Sequence, residues 1–252
     1  MGVSDSGCIE GESTTVEDKS MRRHPSQGIV NRRVVRPSPE ELKAFQGIPP
    51  AFLLDHMGKL GWLGEGLVPL ASGMTLCGPA VTCQGPDLDV RRMAIDLMEP
   101  GDVLVVAGGA KDRACFGEFT ARQLQVREAA GIVIDGATRD SFEIRKLGFP
   151  TFCKGVSPRN YSYPLAEAGS VNVPVMIGAT QVCPGDLLVG DDDGVVCVPA
   201  EHVVTLASYI RESFEEDTAR RKVGLERPFR RDQVLADRGF IFTQIGSEDS
   251  LG

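Results

Sequence analysis

No apolar run in this sequence approaches the roughly 18 residues that a membrane-spanning helix requires. There is no surplus of base either: Asp and Glu total 35 against 27 Lys and Arg, a formal net charge of -8. A chain of that sign presents no broad basic face, so neither nucleic acid nor a membrane is expected as a partner. The seven cysteines include no Cys-x-x-Cys pair and are odd in number. They read as reduced thiols of a cytoplasmic protein, most of them small core residues. The first twenty residues carry acids where a signal peptide needs bases, and they have no apolar centre. Gly108-Gly109 lacks the Lys-Ser/Thr of a phosphate loop and the spacing of a dinucleotide fingerprint. Asp191-Asp192-Asp193-Gly194 lacks calcium-loop spacing and reads as a tight turn between two strands.

What is present alternates between strand and helix. Residues 1 to 36 are polar and Gly/Ser-rich, and are expected to form a disordered extension. Ser38-Pro39 is a helix start, with Ser38 as the cap. A second helix follows Pro49-Pro50. Leu67 to Thr75 and Gly78 to Cys83 read as strands, and Asp89 to Met98 as a helix with Met93, Ala94 and Leu97 on its apolar face. Val103 to Ala107 is β-branched or small throughout, the signature of a strand covered on both sides. A helix from Glu118 to Ala130, a strand from Ile132 to Ile134, a helix from Ser141 to Leu147 and a strand from Phe149 to Lys154 come next. Short strands are expected at Pro174 to Ile177, Leu187 to Gly190 and Val195 to Val198. One long amphipathic helix is expected from Glu201 to about Lys222, and residues 225 to 252 form a tail in which Phe240-Ile241-Phe242 is a strand or a subunit contact. With no repeat and no linker within residues 37 to 224, this is one α/β domain with helices flanking a central β-structure.

The corner at Arg139-Asp140 is where chemistry is expected. A buried strand ends and at once presents an Arg beside an Asp. Pairing, or Asp140 capping the next helix, is the structural explanation. The functional one uses complementary roles: Arg139 offers a planar fork for a carboxylate or 2-oxo acid, and Asp140 is a hard oxygen ligand suited to magnesium or manganese. Glu118 and Glu143 bring carboxylates from the flanking helices, which makes Glu143 a second candidate metal ligand. The free amides around Gly117, Glu118, Phe119 and Thr120 suit a substrate carboxylate. Such a set suits a lyase acting on a 2-oxo acid, where the enolate left by carbon-carbon cleavage needs positive charge beside its oxygen. No lysine is placed for an imine mechanism.

Four blocks in order, GDVLVVAGG, GEFTA with GIVIDGATRD, the run from Gly148 to Arg159, and GDLLVGDDDGVVCVP, resemble the RraA-like family over about residues 45 to 224. The resemblance implies a swivelling β/β/α fold and homotrimers or homohexamers with active sites between subunits. Its enzyme members include 4-hydroxy-4-methyl-2-oxoglutarate aldolase, which also acts on 4-carboxy-4-hydroxy-2-oxoadipate; several also decarboxylate oxaloacetate. In those aldolases an acidic residue precedes an Arg-Asp pair by twenty intervening positions, as Glu118 does here, although the aldolases carry Asp at that place. The match implies that Asp140 holds the divalent ion, that Arg139 and the amides of residues 117 to 120 bind the oxo acid, and that a C-terminal-helix acid from the neighbouring subunit completes the site, Glu216 first and Glu215 second. Other members regulate ribonuclease E and lack the Arg-Asp pair, so Arg139-Asp140 favours the aldolase branch over a non-catalytic regulator. A related lyase on a different substrate is the remaining alternative.

Overall fold

The computed structural model describes residues 28–85, 87–161, 169–226 and 231–242. Strands β1 (Val68–Pro69), β2 (Leu76–Gln84), β3 (Val103–Ala107), β4 (Ala114–Phe116), β5 (Gly131–Thr138), β6 (Thr151–Val156) and β7 (Ser170–Val171) are followed by β8 (Val175–Ile177), β9 (Thr180–Val182), β10 (Leu187–Asp191) and β11 (Gly194–Val198). Around them lie helices α1 (Pro39–Phe45), α2 (Pro50–His56), α3 (Leu88–Asp96), α4 (Glu118–Val126), α5 (Ser141–Leu147), α6 (Ala200–Ala207), α7 (Ile210–Glu226) and α8 (Arg231–Asp237). The main sheet runs β1-β6-β5-β3-β2-β10-β11, with β4 on β5 and β7 on β2. Its centre, β6-β5-β3-β2, is parallel, and the outer pairings β1-β6, β2-β10 and β10-β11 are antiparallel. The expected α/β domain is therefore what the chain forms.

The local rules account for much of this. Val103–Ala107 is buried along its whole length, as an unbroken apolar run in a parallel sheet should be. Ser38 and Glu41 form a reciprocal capping box at the start of α1. The acidic turn joins β10 to β11 with Asp191 opposite Gly194. There Asp192 accepts from Ser72 Oγ at 2.7 Å and from Gly73 N at 2.8 Å, and these bonds hold its carboxyl below the usual range.

Several expected elements differ. Leu67 to Thr75 yields only Val68–Pro69, because Pro69 lacks an N–H and Gly73 turns the chain at φ 82. The helix from Glu118 stops at Val126 rather than Ala130; Glu128 already has φ 57. Strand β5 runs four residues past Ile134, to Thr138. The long C-terminal helix is two helices, parted where the Ser208 hydroxyl donates back to Thr205 O. Phe240, Ile241 and Phe242 form no strand and are exposed.

Of the expected extension, residues 1 to 27 lie outside the described residues. Residues 28 to 36, by contrast, are tied to the domain. Val30 bridges Val171, and Arg36 grips Asp102 with Nε and Nη2, each at 2.8 Å. Asp102 is fully buried and also accepts from Glu99 N. These contacts are between residues far apart in sequence, which composition does not register.

Removing Arg36 leaves the Asp102 carboxylate buried without its cation. Arg36→Ala is expected to lower the unfolding free energy by about 3 kcal/mol, measured by urea denaturation. A loss within the scatter of ordinary surface substitutions would show that the segment is not anchored there.

Candidate active site at the strand ends

Strand β4 lies parallel to β5, with Ala114 opposite Ala137 and Phe116 opposite Thr138, and α4 returns the chain between them. This unit closes the twenty-residue gap in sequence and sets Gly117-Glu118 beside Arg139-Asp140. Arg139 N donates to Phe116 O at 2.9 Å, and Thr138 Oγ1 donates to the same carbonyl at 3.2 Å.

Asp140 does not cap the helix it precedes. Its backbone is left-handed, φ 56 and ψ 33, whereas a capping residue needs extended angles to aim its side chain at the following amides. Instead Asp140 Oδ2 accepts from Glu118 N at 3.1 Å, across the corner, and so takes one of the unpaired amides that start α4. Arg139 Nε lies 3.6 Å from the same oxygen, and both side chains are 43% exposed. The two are not locked together in a sealed interior. Gly117 is required for space: a Cβ there would stand 2.5 Å from Asp140 Oδ2 and 3.2 Å from Arg139 Cγ.

The corner opens into a cavity of about 220 Å³. That is small beside the roughly 300–1,000 Å³ of drug-sized sites, so it suits a small ligand rather than a nucleotide. Its walls come from the segments that follow four parallel strands: Arg91 and Arg92 of α3 after β2, Gly117 and then Phe119 and Thr120 of α4 after β4, Arg139 and Asp140 after β5, and Asn160 after β6. Open parallel sheets bind ligands in that position. Among the described residues, three guanidinium groups line it against one carboxylate, that of Asp140, a balance that favours an anion.

Not every predicted residue arrives. The Glu118 carboxylate pairs with Arg122, one turn along α4, while its amide serves Asp140. Glu143 does not line the cavity; its charge acts on Arg122. Glu216 and Glu215 are exposed on α7, which packs on α1 and α6, and neither of those helices contributes to the cavity wall. Among the described residues, no three His, Cys, Asp or Glu side chains group closely enough to hold a metal between them. Both Asp140 contacts use Oδ2. The donor set therefore fits a hard cation resting on one carboxylate with water and substrate as its other ligands, the usual habit of magnesium.

Arg91 was not singled out from sequence, yet it is 4% exposed and lines the cavity. It shares the buried face of α3 with Ala94 and Ile95, at i+3 and i+4. A cation at a core-facing position of a predicted helix was the available signal. Cys115 also lines the cavity, and burial pushes its thiol up to about 11 despite the opposing charge of Arg91.

Fold and site together define an α/β protein with a small, arginine-lined cavity at its strand ends. The chain belongs to the RraA-like family: the family model described as Aldolase/RraA matches residues 51–197. It is 33% identical, over 80% of its length and 93% of the relative's, to a Halalkalibacterium halodurans protein named "Putative 4-hydroxy-4-methyl-2-oxoglutarate aldolase". A Thermus thermophilus protein named 4-hydroxy-4-methyl-2-oxoglutarate aldolase is 33% identical over 39% of this chain and 60% of its own. Among solved structures, Streptomyces coelicolor RraAS2, described as an unusual member of the RNase ES inhibitor RraA family, superposes with TM-score 0.62 at 32% identity, over 74% of this chain and all of that one. In the described residues no helix is long and apolar enough to cross a membrane.

Gly117→Ala is expected to push the Asp140 carboxylate off the Glu118 amide. The thermal midpoint should fall by only a few degrees, on the order of 1 kcal/mol, while affinity for a small oxo acid falls far more. Unchanged ligand affinity in a calorimetric titration would show that the corner does not form the site.

Proposed function

We propose that the chain is a divalent-metal-dependent lyase that cleaves a 4-hydroxy-2-oxo dicarboxylic acid, of the 4-hydroxy-4-methyl-2-oxoglutarate type, and releases pyruvate. The observation that carries this reading is the half-exposed Arg139-Asp140 corner, which opens with the start of α4 into a cation-rich cavity. The names of the relatives above support it.

In this reading the substrate's 1-carboxylate lies against the first-turn amides of Phe119 and Thr120, which like all such amides lack helical partners. Arg139 forks onto the carboxylate and the 2-oxo oxygen. Loss of the 4-hydroxyl proton breaks the C3–C4 bond, the electron pair moves onto the oxo oxygen, and the guanidinium is already in place where that charge develops. Protonation at C3 then gives pyruvate. Magnesium or manganese, held on Asp140, would add Lewis-acid stabilisation at the same oxygen. Decarboxylation of oxaloacetate leaves the same enolate and is expected as a side activity. A proton acceptor from α7 of a neighbouring copy, Glu216 first, would complete the site in a homotrimer or homohexamer.

A second reading, a protein-binding regulator of a ribonuclease, is favoured by the likeness to RraAS2. Pyruvate release from oxaloacetate and from 4-hydroxy-4-methyl-2-oxoglutarate, with and without EDTA, separates the two. Metal-stimulated turnover is expected. Arg139→Lys should lose about 10²-fold in kcat/KM, because a point charge replaces a two-pronged contact. Asp140→Asn, which keeps the left-handed backbone accessible, should fold normally and lose the response to metal. Variants that match the wild type, or turnover at the uncatalysed rate, would leave the regulator.

A further inference from the structure

Charge develops on two oxygens during the proposed cleavage, and the groups placed so far serve one of them. Arg139 meets the 2-oxo oxygen. The 4-oxygen carries charge as its proton departs, and a donor held beside it would lower the barrier. Among the described residues, Asn160 is the one side-chain amide in the cavity wall.

The fold sets Asn160 across from Arg139. Ala114 of β4 is bracketed: Ala137 of β5 lies opposite it on one edge, and Asn160 forms a parallel bridge to it on the other. Ala114 N donates to Arg159 O at 2.7 Å, which holds that bridge. Strand β4 leads into Gly117 and α4, so Arg139 and Asn160 border the start of that helix from opposite edges. The amide is also fixed in orientation. Tyr161 N donates to Asn160 Oδ1 at 2.9 Å, and a backbone N–H can only donate, so the atom it meets is the oxygen. Tyr161 is held in turn, its hydroxyl accepting from Ala110 N at 2.9 Å. Asn160 Nδ2 keeps both its hydrogens without a partner among the described residues.

We propose that Asn160 is a further catalytic residue, whose Nδ2 donates to the 4-oxygen of the substrate while that oxygen loses its proton; this rests on the lyase reading. In the step the 4-O–H bond breaks and the proton passes to the acceptor placed on α7 of a neighbouring copy. The pair left on oxygen closes the C4 carbonyl. The C3–C4 pair becomes the C2–C3 double bond of the enolate, and the oxo π pair moves onto its oxygen. An amide suits the position, because it donates without giving up its own proton. Oxaloacetate makes no such demand: its C4 carboxylate loses charge as carbon dioxide leaves, so a donor there gives the transition state no advantage.

The test compares two reactions of the full chain with magnesium present: cleavage of 4-hydroxy-4-methyl-2-oxoglutarate, which has the 4-hydroxyl, and decarboxylation of oxaloacetate, which lacks it. Asn160→Ala should lose about 10²-fold in kcat for the cleavage, the scale of one oxyanion donor, with KM nearly unchanged. Its decarboxylation rate, and its pyruvate affinity by calorimetric titration, should stay within about twofold of the wild type. Asn160→Asp keeps the acceptor for Tyr161 N and removes the donor, so it should lose at least as much in the cleavage. Equal losses in both reactions, or weaker pyruvate binding by Asn160→Ala, would show that the residue serves the pyruvate half or only shapes the wall, and the inference falls while the lyase reading stands. So does an Asn160→Asp variant that cleaves at the wild-type rate, which is what a purely structural bond to Tyr161 N predicts. A wild type that cleaves neither substrate removes both.

Discussion

The Asp140 carboxylate, accepting from the first amide of α4, ties together two corners that are distant in sequence. Without it the β4-α4 turn and the β5-α5 turn would meet through backbone pairing and the Thr138 hydroxyl on Phe116 O. With it, the start of α4, the Arg139 guanidinium and a carboxylate oxygen face one small space. The demands on neighbouring residues follow from this bond. Position 117 admits no Cβ, since the oxygen stands where that atom would go. Position 140 must tolerate a left-handed backbone, which Asp does better than most residues.

The parallel centre of the sheet supplies the frame. Strands β2, β4, β5 and β6 point their carboxyl ends the same way, so the turns and helix starts that follow them converge from four parts of the chain. The antiparallel edge of β10 and β11, with α1, α2 and α6 over it, forms a second apolar cluster of its own. It contributes nothing to the cavity wall. The division is physical: the antiparallel edge is apolar, and charges gather at the carboxyl ends of the parallel strands.

How much of this the sequence disclosed depends on the range of the interaction. Val103–Ala107, the Ser38 cap and the Asp191–Gly194 turn follow from neighbours a few residues away, and all were readable. The Arg139-Asp140 corner was readable because a buried strand does not ordinarily end on two charges. The direction of the Asp140 side chain was not, because it depends on a backbone angle that the residue names do not fix. Strand β4, three residues long, leaves too short a pattern to detect, yet it is what brings Gly117 to Asp140. Arg91 was legible in principle: it sits at core-facing spacing from Ala94 and Ile95, but the apolar neighbours drew the reading to Met93, Ala94 and Leu97. The tie between residues 28 to 36 and the domain spans up to 141 positions, as from Asn31 to Asn172, and no local pattern reports it.

Stability alone does not explain the corner. An exposed Arg-Asp pair at 3.6 Å contributes about 0–1 kcal/mol. A non-glycine residue in the left-handed region costs on the order of 1–2 kcal/mol, and a cap on the amide of Glu118 returns about 1. These terms roughly cancel, so a plain Gly at 140 with an ordinary N-cap at 117 would serve the fold as well. The arrangement instead resembles the strained, incompletely satisfied geometry that collects at functional sites. A carboxylate, a guanidinium and the first turn of α4 all border one cavity. Arg36 with Asp102 makes the contrast within the same chain: there the carboxylate is sealed from water and both its oxygens are taken. A pair built for stability in this protein looks like that one, and the pair at 139 and 140 does not.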